Sequence, residues 1–149
     1  MNVSPLYLLF FAFLGVSTLA AAQSCPYPSA VRYVDGHFQG TDSDSPWISQ
    51  AMSGGEFVET FVGALFTPSE QDERKHGYLE KCIYKTLRGK TVTLRYGTAQ
   101  AGGAMSLADT THWVPGTDAF GQQIFQCDDH QPDNCAFTFV GKKAPTGAQ

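Results

Sequence analysis

The chain is short of the features that announce an enzyme. No Gly-x-Ser-x-Gly elbow occurs, and neither Gly54-Gly55 nor Gly102-Gly103 carries the Gly-x-x-Gly frame or following Lys-Ser/Thr of a phosphate loop. Metal-ligand spacings such as Cys-x2-Cys or His-x3-His are missing as well. Basic excess is absent: 10 Lys and Arg stand against 14 Asp and Glu, a formal charge of −4, with basic residues scattered singly or in pairs such as Arg74-Lys75 and Lys142-Lys143. That balance argues against nucleic acid and against an anionic membrane surface as partners. Beyond the amino-terminal segment there is no long apolar run, so no spanning helix and no stable membrane insertion are expected.

Residues 1–22 contain no charged side chain, run apolar from Leu6 to Val16 and end in Ala20-Ala21-Ala22 before Gln23. The run is shorter than the roughly 20 residues a membrane helix needs. The segment reads as a secretory signal peptide cleaved after Ala22, although its start has no Lys or Arg beyond the amino terminus itself. A lipidated start at Cys25 is disfavoured, because Ala22-Gln23-Ser24 is a poor match to the small and aliphatic residues such processing prefers. The expected product is one domain over residues 23–149, with a frayed tail from about Lys142, exported to the periplasm or secreted.

Export changes the meaning of the four cysteines, Cys25, Cys82, Cys127 and Cys135. In an oxidising compartment an even count reads as two structural bridges. Three pairings are open to four cysteines, and short-range closure favours Cys127–Cys135 with Cys25–Cys82. The longer bridge would tie the mature amino terminus to a central strand.

The periodicity is that of strands. Val31 to Val34 and His37 to Gln39 flank Asp35-Gly36, a dipeptide suited to a tight hairpin. Gly77 to Thr86 sends Leu79 and Ile83 to one face and Tyr78, Cys82 and Tyr84 to the other. Thr91 to Tyr96 alternates cleanly and supplies a partner strand after Arg88-Gly89. In Glu56 to Phe66 the apolar residues Phe57, Val58, Phe61, Val62, Leu65 and Phe66 also fit a helical face. Aromatic and β-branched content, with Gly63 inside, favours a strand. Pro68 to His76 reads as an exposed loop, and Ala99 to Gly121 as an irregular crossing. Gln123 to Cys127 and Cys135 to Val140 bracket the polar run Asp128 to Asn134, which suggests a disulfide-closed hairpin. The expected fold is mainly β: a single compact domain of antiparallel strands, sandwich or meander, with two disulfides.

The order of landmarks resembles an uncharacterised family of small exported bacterial proteins. The residues that carry it are Cys25-Pro26-Tyr27-Pro28, Gly36 with Phe38, Trp47, the strand Phe57 to Phe66, Cys82-Ile83-Tyr84, Trp113, and Cys127 with Cys135-Ala136-Phe137. The resemblance implies a compact β-rich domain with paired cysteines. It carries over no catalytic residue.

Candidate functional residues are few. Asp128, Asp129 and His130 form the best local cluster, but without metal-ligand spacing they read as a polar loop tip. No metal or other cofactor is expected. Glu56, Glu59, Glu70, Glu73 and Glu80 read as surface carboxylates, and no catalytic residue is assigned. Trp47 and Trp113, in Pro-flanked contexts, could anchor a protein or a sugar ring, or else pack at the ends of the core. The functional expectation is a non-enzymatic binding protein whose partner is another protein, of inhibitor or immunity type, using Asp128 to Asn134 or Asp42 to Trp47. A secreted effector or a host-surface or glycan-binding factor is the alternative, and a small hydrolase stands behind both.

Overall fold

A computed structural model describes residues 22–40, 47–54, 56–96, 105–108 and 110–139. The expected signal segment except Ala22, the frayed tail and all of the Asp42 to Trp47 loop except Trp47 lie outside these. Two left-handed residues in a row, Asp35 (φ 51°) and Gly36 (φ 85°), fold β1 (Val31–Val34) onto β2 (His37–Gly40), as their turn chemistry requires. The short β3 (Trp47–Ile48) then joins β2 to β6 (Thr91–Tyr96). The centre of the sheet is the long antiparallel pair β4 (Val58–Pro68) and β5 (Gly77–Thr86).

β4 settles the helix-or-strand ambiguity in favour of the strand and shows its origin. Its buried residues include Val58, Phe61, Ala64 and Phe66, spaced by threes before a two. Register shifts between Val58 and Thr60 and between Phe61 and Gly63 each place two residues of β4 against one of β5. Each bulge resets the alternation, so a strand acquires helix-like spacing. A third shift, between Leu65 and Phe66, falls on β5 and corrects the simple alternation expected there. Leu79 is buried before it and Cys82 and Tyr84 after it, all in one core, whereas Tyr78 is exposed.

Ala99 to Gly121 is more regular than expected over its described residues. β7 (Met105–Ser106) and β8 (Val114–Thr117) lie there, because β9 (Gln123–Cys127) and β10 (Thr138–Phe139) offer them edges. The expected hairpin across Cys127 and Cys135 does not form. Pro132–Cys135 is a 3-10 turn, β9 pairs with β4 and β8, and β10 pairs with β7. Proline at the start of the turn fixes a compact φ and donates no ladder hydrogen bond. The sheet path runs β1-β2-β3-β6-β5-β4-β9-β8, with β7 on β5 and on β10 beside it.

Both bridges are the pair favoured by short-range closure, Cys25–Cys82 (Cα–Cα 5.9 Å) and Cys127–Cys135 (5.7 Å). The first fastens the segment before β1 to the middle of β5. Tyr84 reinforces it, its hydroxyl donating to the Pro26 carbonyl at 2.6 Å. Gln23 and Phe137 exchange backbone hydrogen bonds (2.7 and 3.0 Å), which lays the start of the described chain beside its end.

Candidate functional site

Both tryptophans are core residues. Trp47 is 4% exposed, edge-on to Tyr96 and Phe137, and lines a small cleft of about 230 Å³ beside Cys25 and Tyr27. Trp113 is 1% exposed, packs on Phe66 and donates its indole N–H to the Ala136 carbonyl at 2.9 Å. Packing, the second of the two roles open to them, is what the fold gives these rings.

The Asp128, Asp129 and His130 tip is held by its own hydrogen bonds. Asp129 accepts from the Gln131 N–H (2.8 Å) and from Asn134 Nδ2 (3.1 Å), and the first of these is the main reason its carboxyl is held below the usual range. Nearby His112 and His130 lower it further. His130 Nδ1 contacts the Phe61 carbonyl at 3.1 Å, and Asp128 accepts long hydrogen bonds from Gln126 Nε2. These contacts make the tip a clamp between the 3-10 turn and β4. Among the described residues no group of three or more His, Cys, Asp or Glu is placed to hold a metal ion.

Among the described residues, large exposed apolar side chains occur where β1 comes near the start of β4. Phe57 is 85% exposed, although it heads the apolar run that becomes β4, because the strand begins one residue later. Leu87, just past β5, is 72% exposed and donates its backbone N–H to the Phe57 carbonyl at 3.3 Å. Two large apolar side chains are thereby carried on one backbone contact. Tyr33 and Val34 of β1 are also exposed, with the Tyr33 hydroxyl anchored on the Met52 carbonyl at 2.6 Å. Between β1 and the start of β4 lies a groove of about 570 Å³, lined among others by Val31, Tyr33, Val34, Glu56, Phe57 and Val58.

Glu56, expected as an ordinary surface carboxylate, is half-buried in that groove. Its Oε1 lies 3.7 Å from Nε of Arg88, whose own side chain is largely in water. Its Oε2 is buried without a hydrogen-bond partner, the one such side-chain oxygen or nitrogen among the described residues. A carboxylate oxygen removed from water and not hydrogen-bonded is a costly arrangement.

A second, polar cleft of about 620 Å³ lies at the β8 end, between the Ser69–Gln71 turn and Gln122-Gln123. Phe120, on the adjoining turn, is 91% exposed.

A protein-family model matches residues 20–138, a span that takes in every strand but the last residue of β10 and both bridges. Its description is Protein of unknown function (DUF3757). The chain belongs to this family. The family membership agrees with the uncharacterised family that the landmarks resemble. No curated protein and no solved structure matches the chain. The DUF3757 match brings no residue assignment with it, so the groove and the polar cleft stand on their chemistry. Sequence reasoning missed the groove because Phe57 is indistinguishable from its buried neighbours in an apolar run. Arg88 following an apolar Leu87 at a tight turn was the available hint.

Proposed function

We propose that the protein is an exported, disulfide-stabilised binding protein that acts by covering part of another protein, in the manner of an inhibitor or immunity protein. The observation that carries this reading is the pairing of Phe57 and Leu87, two large exposed apolar residues joined by a backbone hydrogen bond just outside β4 and β5. Isolated apolar residues are common on surfaces; two joined by a backbone hydrogen bond, one of them also lining a groove with Tyr33 and Val34, are the kind that mark a protein contact. The uncharged segment at residues 1–22 and the two bridges support export to the periplasm or beyond.

Affinity capture from culture supernatant and extracts of the protein's own source tests it, using oxidised residues 23–149 and a Phe57→Ser/Leu87→Ser double variant as control. One protein held in near-stoichiometric amount by the native chain and not by the variant is the expected result. Equal capture by both overturns the assignment of the face.

A second reading, glycan or host-surface binding, draws on the exposed Phe120 beside the amide-rich cleft of Gln71, Gln122 and Gln123. Glycan-array binding that is lost in Phe120→Ala would favour it over the first.

A further inference from the structure

The backbone phase of the β1–β2 hairpin determines which groups look outward from the edge. Val34 and His37 flank the two-residue turn, so they form the hydrogen-bonded pair, and Tyr33 faces Phe38 as a non-hydrogen-bonded pair. Phe38 bears this out: its N–H donates to Ser49 Oγ (2.9 Å) and its C=O accepts the Ser49 N–H (2.9 Å), both on the side away from β1. By the same alternation the Tyr33 N–H and C=O point away from β2. β1 ends the sheet path and pairs with β2 alone among the described residues. The Tyr33 pair therefore opens into the groove shared with Glu56, Phe57 and Val58.

An unpaired strand edge recognises extended backbone, and the groove walls select side chains at alternate positions. The charge it presents is the Glu56 carboxylate, with one oxygen unpartnered and the other only in loose contact with a solvated arginine. Arg32, the other charged residue lining the groove, is exposed on the strand itself. We infer that the groove takes an extended segment of a partner protein, which adds to β1 as a further strand through the Tyr33 backbone and delivers a lysine or arginine side chain to Glu56. The segment's remaining residues, facing Tyr33, Val34 and Phe57, are β-branched or aromatic. The net charge of −4 favours the same cationic occupant. This inference rests on the protein-binding reading and names the mode of binding.

The test uses short random peptides displayed on phage, selected on oxidised residues 23–149. Enriched sequences are expected to carry Lys or Arg among alternating β-branched or aromatic residues. A synthetic copy of the leading sequence is expected to slow hydrogen exchange of the Tyr33 amide. Its binding should weaken roughly tenfold or more in Glu56→Gln, and N-methylation of alternate peptide amides should abolish it. Circular dichroism of the variant controls for folding. No enrichment, enriched peptides without a cationic residue, binding that leaves Tyr33 exchange unchanged, or a dimer of the chain itself through β1 would each overturn it. Capture of a partner that depends on Phe57 and Leu87 yet ignores Glu56→Gln removes this inference and leaves the protein-binding reading standing. Failure of capture altogether removes that reading.

Discussion

The carbonyl oxygen of Cys127 occupies the space a β-carbon on Gly63 would need, 2.5 Å from its ideal position. Gly63 sits at φ 152°, where a side chain is strained in any case, and it forms part of the second β4 bulge. Close approach here lets β9 lie against β4 while carrying one end of the shorter disulfide. Gly63→Ala should therefore destabilise the domain by about 2 kcal/mol or more, read by denaturant unfolding. Unchanged stability would mean that β9 moves away freely and that the bulge is not tightly packed.

The two bridges should differ in what they contribute. On the chain-entropy argument, removing Cys25–Cys82 as a double serine variant costs roughly 4 kcal/mol, and removing Cys127–Cys135 roughly 2.5 kcal/mol. Unfolding of the two variants, compared at equal pH, checks the order. Intact mass before and after reduction should differ by two hydrogens per bridge.

Asp129 gives the loop tip a pH dependence of known sign. Its carboxyl is held below the ordinary 3.8, chiefly by the Gln131 N–H, so its contribution is present above that value and is lost as pH falls through the lower folded value. An NMR titration of Asp129 should show the depressed midpoint, and Asp129→Asn should flatten this part of the acid unfolding profile. A midpoint at or above the ordinary value would contradict the clamp.

Tyr27 predicts the opposite limb. Its hydroxyl donates to the Asp133 carboxylate, which raises its pKa above 10.0 and favours the neutral phenol. The contribution is complete below the unfolded value and fades as pH rises through the folded one. An NMR pH titration of Tyr27 should show its midpoint above 10.0, a rise abolished in Asp133→Asn.

Trp113→Ala should cost about 3–5 kcal/mol, since it empties a core site and strips the Ala136 carbonyl of its indole donor. Loss of folding cooperativity, rather than selective loss of a sugar ligand, is the outcome the packing requires. Thermal unfolding alongside glycan binding separates the two.

Local chemistry accounts for what the chain made legible. Asp35-Gly36 had one comfortable conformation, and Thr91 to Tyr96 alternates without interruption, so β1–β2 and β6 could be read directly. β4 was ambiguous because bulges at Thr60 and Gly63 erase the period that distinguishes strand from helix. The pairing of β9 with β4 and of β10 with β7 depends on contacts far apart in sequence, so proximity of Cys127 to Cys135 suggested a hairpin that the sheet does not contain. The groove was hidden for a simpler reason: exposure of Phe57 and burial of Glu56 invert what each residue type implies on average.

The hydrogen bonds between Gln23 and Phe137 have a consequence for assembly in time. A chain delivered from its amino end presents Gln23 long before its partner Phe137 arrives, and Cys25 must wait for β5 before it can be oxidised correctly. Closure at Phe137 comes last, when nearly the whole domain has been delivered. Such a topology folds slowly and after synthesis rather than during it, and it leaves the segment around Gln23 without its strand partner until Phe137 has been delivered.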